Sequence, residues 1–283
     1  MNTARLMWTL YEPVHALTYF SPGARAAFEA AGLRGFWRGY FAGRAAPLGA
    51  VAAAPVTAAF FSFAPGMVSR ALPDVWQRAT PDDALRARLD GVTTTLAGLT
   101  ADRPADDIAE AADLLAAAAA RVGTAGRVLG AANAALPVPV APLERLWQAA
   151  STLREHRGDG HVAALVAADL GPCEVLVWRG ALDLRRDQLQ PARGWSDDDW
   201  EAGRLRLVRR GWLDPAGRPT EAGVAGHRWI EETTDRAAAG PWDGVDTDRL
   251  RALLTPIARA CRATLPDVNA IGLPEPAEPA GGR

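Results

Sequence analysis

Residues 147–170, WQAASTLREHRGDGHVAALVAADL, hold two of the chain's four histidines and a dense set of charges where two helical patterns meet. Upstream, Leu143, Leu146, Trp147, Ala150 and Leu153 recur at helical spacing and predict an apolar stripe facing a core. Downstream, Val162, Leu165, Val166 and Leu170 do the same. Between the stripes lie Arg154, Glu155, His156, Arg157, Gly158, Asp159, Gly160 and His161. Two glycines one residue apart disfavour a helix interior, and Asp159 ahead of a new apolar stripe stands where an N-cap acceptor belongs. The spacing therefore predicts a helix, a tight turn and a second helix, with the turn as the hinge between two halves of the protein.

Working outward, the upstream chain reads as helix throughout. A first helix over 4–19 carries Glu12-Pro13-Val14-His15 in its middle, where proline removes a backbone donor and predicts a kink or restart. Ser21-Pro22 opens a helix that ends at Gly32, proline at its start and glycine at its end. Aromatics, glycines and arginines then alternate from Gly35 to Arg44. Further helices are predicted over 55–63, 65–72, from Pro81 through Leu96, over 106–122 and over 127–136, with Pro137, Pro139 and Pro142 as a stiff linker. Downstream, helices over 161–170, 172–182, 185–192 and 196–210 precede a Gly/Pro-rich turn over 211–223. A long helix through Ala239 and another over 247–263 follow. The expected fold class is mainly α, in four parts: a helical bundle (1–142), a winged helix-turn-helix-like domain (143–240), a C-terminal helix (241–265) and a disordered tail (266–283).

At 283 residues, 49% hydrophobic and 23% charged, the chain has the composition of a two-domain globular protein with a sizeable core. All 31 of its cationic residues are arginine, since the sequence contains no lysine, and the net charge is -2. That balance argues against binding through bulk positive charge, the usual source of sequence-independent affinity for nucleic acid. Two cysteines, Cys173 and Cys261, predict neither a disulfide framework nor a thiolate metal site. No cofactor or metal motif is present, and a cytoplasmic location is expected because Glu12, Pro13 and His15 interrupt what a signal peptide would keep apolar. The most apolar stretch, 48–63, is short for a membrane span and bracketed or broken by Pro47, Pro55 and Pro65, so it reads as a buried helix and no membrane partner is expected.

The phrase LRLVRRGWLDPAGRPTEAG (205–223) resembles the recognition-helix end and small wing of MarR-type winged-helix proteins. With EPVHALTYFSP (12–22), RGYFAGRAAPLG (38–49) and LREHRGDGHVAALV (153–166), the chain is similar to an actinobacterial family of helix-turn-helix proteins over nearly all of residues 8–236. The resemblance implies a winged-helix C-terminal half and, by analogy, a transcriptional regulator.

DNA binding through that element would rest on Arg206 and Arg210, yet the helix that should enter the groove begins Ser196-Asp197-Asp198-Asp199, and those carboxylates repel a polyanion. The acids equally serve as a helix start, with Ser196 as cap. A His with a carboxylate partner works as a general acid or base near neutral pH. Glu12, His15, His156, Asp159 and His161 are the candidate catalytic set. The bland alternative makes His156 and Asp159 helix-end residues and His15 a core residue. Arg38, Tyr40, Arg44, Arg154 and Glu155 are the candidate ligand-binding set, because guanidinium groups beside aromatic rings clamp carboxylate, sulfate or phosphate. Surface solvation of those arginines is the alternative.

Two readings result. The first is a small-molecule-binding, regulator-like winged-helix protein, its polar Arg/His pocket lying between bundle and winged half and taking a small anionic or polar partner. The second is a cofactor-independent enzyme of specialised, biosynthetic metabolism that uses a His/carboxylate pair and an Arg clamp. The terminal helix either pairs with a second subunit, in a homodimer or a heterodimer with a related chain, or folds back on its own chain.

Overall fold

In the computed structural model, residues 1–267, 269 and 271–277 are described. Local signals set most helix starts. α1 (Thr3–Phe20) is capped by the Asn2 side chain and runs through Pro13 as one helix, so the expected restart does not occur. α2 (Pro22–Ala30) has Ser21 as cap and proline in its first turn. α3 (Phe36–Ala45), α4 (Ala53–Phe60) and α5 (Pro65–Ser69) are short. α6 (Pro81–Leu99) starts from a reciprocal Thr80/Asp83 capping box, and α7 (Ala105–Ala119) and α8 (Val128–Ala134) follow.

α9 (Pro142–Ala167) is a single helix of 26 residues. It overturns the predicted turn: Gly158, Asp159 and Gly160 are all helical. A glycine inside a helix costs about 1 kcal/mol relative to alanine, and close packing offsets that cost here. α9 is contacted by α1, α6, α7, α8 and α13. A Cβ added to Gly130 of α8 would lie 2.8 Å from His156 Cα, and one added to Gly160 would lie 3.2 Å from Ala237 Cβ. Small residues at both crossings let the backbones meet.

The chain continues with α10 (Pro172–Leu182), α11 (Arg186–Arg193), α12 (Asp197–Arg209), α13 (Glu221–Ala237) and α14 (Thr247–Arg262). α12 has the Ser196/Asp199 capping box that its sequence announces. Between α12 and α13 the chain makes a tight turn, with a bridge between Leu213 and Pro219 and Gly217 at φ 82°. The fold is all α: among the described residues no strand extends beyond that bridge. Nor is any single helix among them long and apolar enough to cross a membrane.

Three apolar clusters hold the chain together. The first joins α1, α7, α9 and α14 around Met7, Leu17, Leu115, Trp147 and Leu254. The second joins α2 to α6 and Leu129 of α8 around Phe41, Phe63 and Leu72, and the third joins the end of α9 to α10–α13 around Trp178, Trp200, Leu207 and Trp212. α14 folds back onto α1 and α7 of its own chain. The disorder expected from residue 266 does not describe the tail as far as residue 277. Glu275 pairs with Arg262 at 2.8 Å, and the Ala277 N–H donates to Thr9 Oγ1 at 3.2 Å. Val268, Ala270 and residues 278–283 of that expectation lie outside the described residues.

Candidate functional site

Because α9 is continuous, its residues are sorted onto faces at about 100° per step, and the polar cluster read from the sequence divides accordingly. Ser151, Arg154, Glu155, Gly158, His161, Val162 and Leu165 share one face, toward α1, α3 and the helix-turn-helix half. His156, Asp159 and Gly160 share another, against α8. There Asp159 Oδ2 accepts the N–H groups of Leu129 and Gly130 at 2.9 and 2.8 Å. Asp159 therefore caps the start of α8, not a helix of its own. The guanidinium of Arg127 donates to the His156 carbonyl at 2.8 Å. His156 and Asp159 thus serve packing, and the expected convergence of both with His15 does not occur.

The first face is where charges meet. Glu155 accepts from Arg44 Nε and Nη2 at 2.8 and 2.9 Å and from Arg154 Nη1 at 2.9 Å, a carboxylate between two guanidinium groups. Its side chain is 3% exposed. Burial alone would raise its pKa, but Arg154 and Arg44 hold the carboxyl well below its ordinary range. From α1, Glu12 stands 3.6 Å from Arg154 and accepts from Trp8 Nε1 at 3.0 Å. Burial raises its pKa against both partners. His15 lies between Ser151 Oγ at 3.0 Å and Tyr19 Oη at 2.9 Å, and its ring stacks on Trp147. Burial first, then the surrounding arginines, keep the imidazole neutral. Glu12 and His15 consequently sit in separate hydrogen-bonded sets, with no bond between them.

Outside this face the candidates scatter. Arg38 is exposed and donates to the Arg34 carbonyl in the connection ahead of α3, so it is no part of the clamp. Tyr40 is in place, its hydroxyl 3.3 Å from Arg44 Nη1.

Between the bundle and the helix-turn-helix half lies a cavity of about 170 Å³. Tyr40, Arg44, Phe60, Phe61 and Phe63 form its bundle wall, Arg154 and His161 its floor, and Val175, Leu176, Arg179, Leu189 and Arg193 its far wall. Four arginines line it, and among the described residues no carboxylate does. The Arg44 guanidinium stands 4.0 Å from the centre of the Phe60 ring, and Arg193 stands 4.6 Å from that of Phe63. Phe61 is held at φ 56°, unusual for a bulky side chain. A second, water-sized space of about 10 Å³ lies behind Arg44, among His15, Ser151 and Arg88.

Of the residues singled out from the sequence, Tyr40, Arg44, Arg154 and His161 line this cavity; Phe60, Phe61, Phe63, Arg179 and Arg193 line it too and were not singled out. The Phe60-Phe61-Ser62-Phe63 run between Pro55 and Pro65 was the available signal. Nothing local marked Arg179 or Arg193, which reach the site from the other half.

The DNA-facing candidates are occupied within the chain. Arg206 Nε donates to Glu174 at 2.8 Å, and Arg210 Nη1 donates to the Asp169 carbonyl at 2.7 Å. Arg204 pairs with Glu201, and Asp197 takes Arg186.

The buried imidazoles make stability depend on pH. Burial holds His156 and His161 down to about 4 and lowers His15 as well, so below pH 6.5 the unfolded chain takes up protons that the folded chain refuses. Asp159 opposes them. Burial lifts it to about 6, so the folded form is protonated first at that group. Burial also lowers His227 and raises Glu12, so four groups against two predict a lower urea midpoint at pH 5 than at pH 7.5. An equal or higher midpoint at pH 5 would contradict this accounting.

Among known proteins, the model of a helix-turn-helix family matches residues 4–267. No curated protein and no solved structure matches the chain.

Proposed function

Since this chain belongs to the helix-turn-helix family whose model spans it almost end to end, we propose that it is a regulator-like winged-helix protein of MarR-like build whose interlobe cavity binds a small organic anion. The observation that carries this reading is the cavity lining, in which Arg44, Arg154 and Arg179 stand with Phe60, Phe61 and Phe63 and no carboxylate among the described residues lines the space. Guanidinium groups held out of water need a counter-charge. Glu155 serves Arg44 and Arg154 from behind, and Asp183 serves Arg179 at 2.8 Å, yet the cavity surface itself stays cationic. Phenylalanine walls favour a planar apolar body on that anion. The strained Phe61 adds support, because such backbone positions cost about 1–3 kcal/mol and gather at ligand sites.

α10 and α11, which form the far wall, are also the first helices of the helix-turn-helix half. A ligand there would press on the element that carries α12. Arg204 and Arg206 pair with Glu201 and Glu174, and Asp197, Asp198 and Asp199 open α12, so that element has little net positive charge for phosphates and DNA is the weaker partner.

Isothermal titration with one-ring carboxylates, sulfonates and phosphate monoesters tests the reading. At least one class is expected to bind and to raise the thermal midpoint in proportion to the logarithm of its concentration. Arg154→Gln, which keeps the Arg44–Glu155 pair, is expected to weaken binding about tenfold or more. Absence of binding by every class at millimolar concentration refutes the proposal. A salt-sensitive mobility shift on the protein's own promoter fragment, lost in Arg206→Glu, would separately place the protein on DNA.

A further inference from the structure

Resting on that anion-binding reading, we infer that the ligand also carries an O–H or N–H donor and that His161 Nε2 accepts it, so the cavity takes a single-ring planar acid bearing a hydrogen-bond donor. Thr234 fixes the chemistry of the histidine. Its hydroxyl has one proton, and Thr234 Oγ1 donates it to the Ile230 carbonyl at 2.8 Å. The contact of 2.9 Å between Thr234 Oγ1 and His161 Nδ1 is then one in which the threonine oxygen accepts. Nδ1 therefore carries the ring proton, and Nε2 keeps a lone pair.

His161 lines the cavity, and with Nδ1 turned back to α13 the nitrogen left for the cavity is Nε2. The imidazole stays neutral near pH 7. Burial pushes its pKa down, Glu231 opposes that shift, and Arg179, Arg157 and His227 reinforce it. Apart from Ser62, the rest of the polar lining is made for donating. Arginines offer donors and no acceptor, and the Tyr40 hydroxyl already accepts from Arg44. A ligand acceptor thus has many partners, and a ligand donor has this histidine.

Size sets the other limit. A cavity of about 150 Å³ holds a benzene ring, so about 170 Å³ holds one ring with a small acidic group.

Calorimetry with two matched pairs, pyrrole-2-carboxylate against furan-2-carboxylate and the corresponding 3-carboxylates, isolates the donor, because each pair differs mainly in a ring N–H. In the wild-type protein at least one pyrrole acid is expected to bind about tenfold or more tightly than its furan partner. In His161→Leu that ratio is expected to fall to about one while the furan acid keeps its own affinity. His161→Gln, which restores a side-chain acceptor, should recover part of the ratio. Thr234→Val, which removes the oxygen holding Nδ1–H, should reduce it with His161 still present, and these two variants decide the matter if His161→Leu does not fold. Equal binding of both acids to the wild type, or a preference that survives His161→Leu, overturns the donor assignment and leaves the anion site standing. Binding of neither acid overturns both.

Discussion

Glu155→Leu is expected to lower the free energy of unfolding by about 3–5 kcal/mol, the range for breaking a buried ion pair from one side. The carboxylate lies between Arg44 and Arg154, whose side chains are 10% and 14% exposed, and no other acid is placed to replace it. Glu12 is 3.6 Å from Arg154, but burial favours its neutral form. Loss of Glu155 leaves two largely buried guanidinium groups without the carboxylate they share. Urea denaturation measures the effect, and the triple variant Glu155→Leu/Arg44→Met/Arg154→Leu supplies the control. Replacing the whole cluster by apolar groups of similar size is expected to recover most of the lost stability, because the penalty comes from stranded charge and not from absent bonds. A single variant as stable as wild type, or a triple variant no better than the single one, would show that the cluster is hydrated. The sign with pH follows from the depressed carboxyl. Its contribution is whole above the usual carboxylate range and declines as pH falls below it.

Trp147→Ala is expected to cost a comparable amount, about 3–5 kcal/mol, by opening a cavity where α1, α6 and α9 meet. The indole is fully buried, stacks on His15 with centroids 6.3 Å apart and lies beneath the guanidinium of Arg88 at 5.1 Å. Arg88 is itself buried. Its Nη atoms donate to the Gly43 carbonyl and to Asn133, and burial brings its pKa down to about 10 against the pull of Glu155. Removing the ring therefore withdraws both packing and the π face on which that cation rests. Trp147→Phe keeps most of the volume and is expected to cost clearly less. Equal losses for alanine and phenylalanine would mean that the indole N–H, 3.4 Å from the His15 carbonyl, matters more than the ring.

Particular residues show which of the singled-out side chains the fold brings together. Tyr40 and Arg44 are four apart on a helix, a spacing that places both on one side, and alternation with glycine and aromatics marked them as a clamp. Arg154 and Glu155 were marked by density of charge in an otherwise apolar pattern. What the clamp closes on was not legible. Arg44 and Glu155 are 111 residues apart, and Arg179 and Arg193 come from helices of the other half. Arg38 lies six residues before Arg44, about 240° around the helix, and it is exposed where Arg44 is nearly buried, so the two do not face one site.

From its own order of residues the chain determines that it is all helical, where most helices begin, and which end of each is capped, because proline, Ser-Asp boxes and apolar periodicity act over a few neighbours. Only the tertiary structure decided that residues 142–167 form one rod. The glycines at 158 and 160 argue locally for a break, but the rod is enclosed by five other helices, and burial of its length outweighs a local cost of about 1 kcal/mol per glycine. That continuity then assigned every polar side chain its face. Asp159 went to the start of α8, Glu155 to the arginines, and His161 to the cavity between the halves.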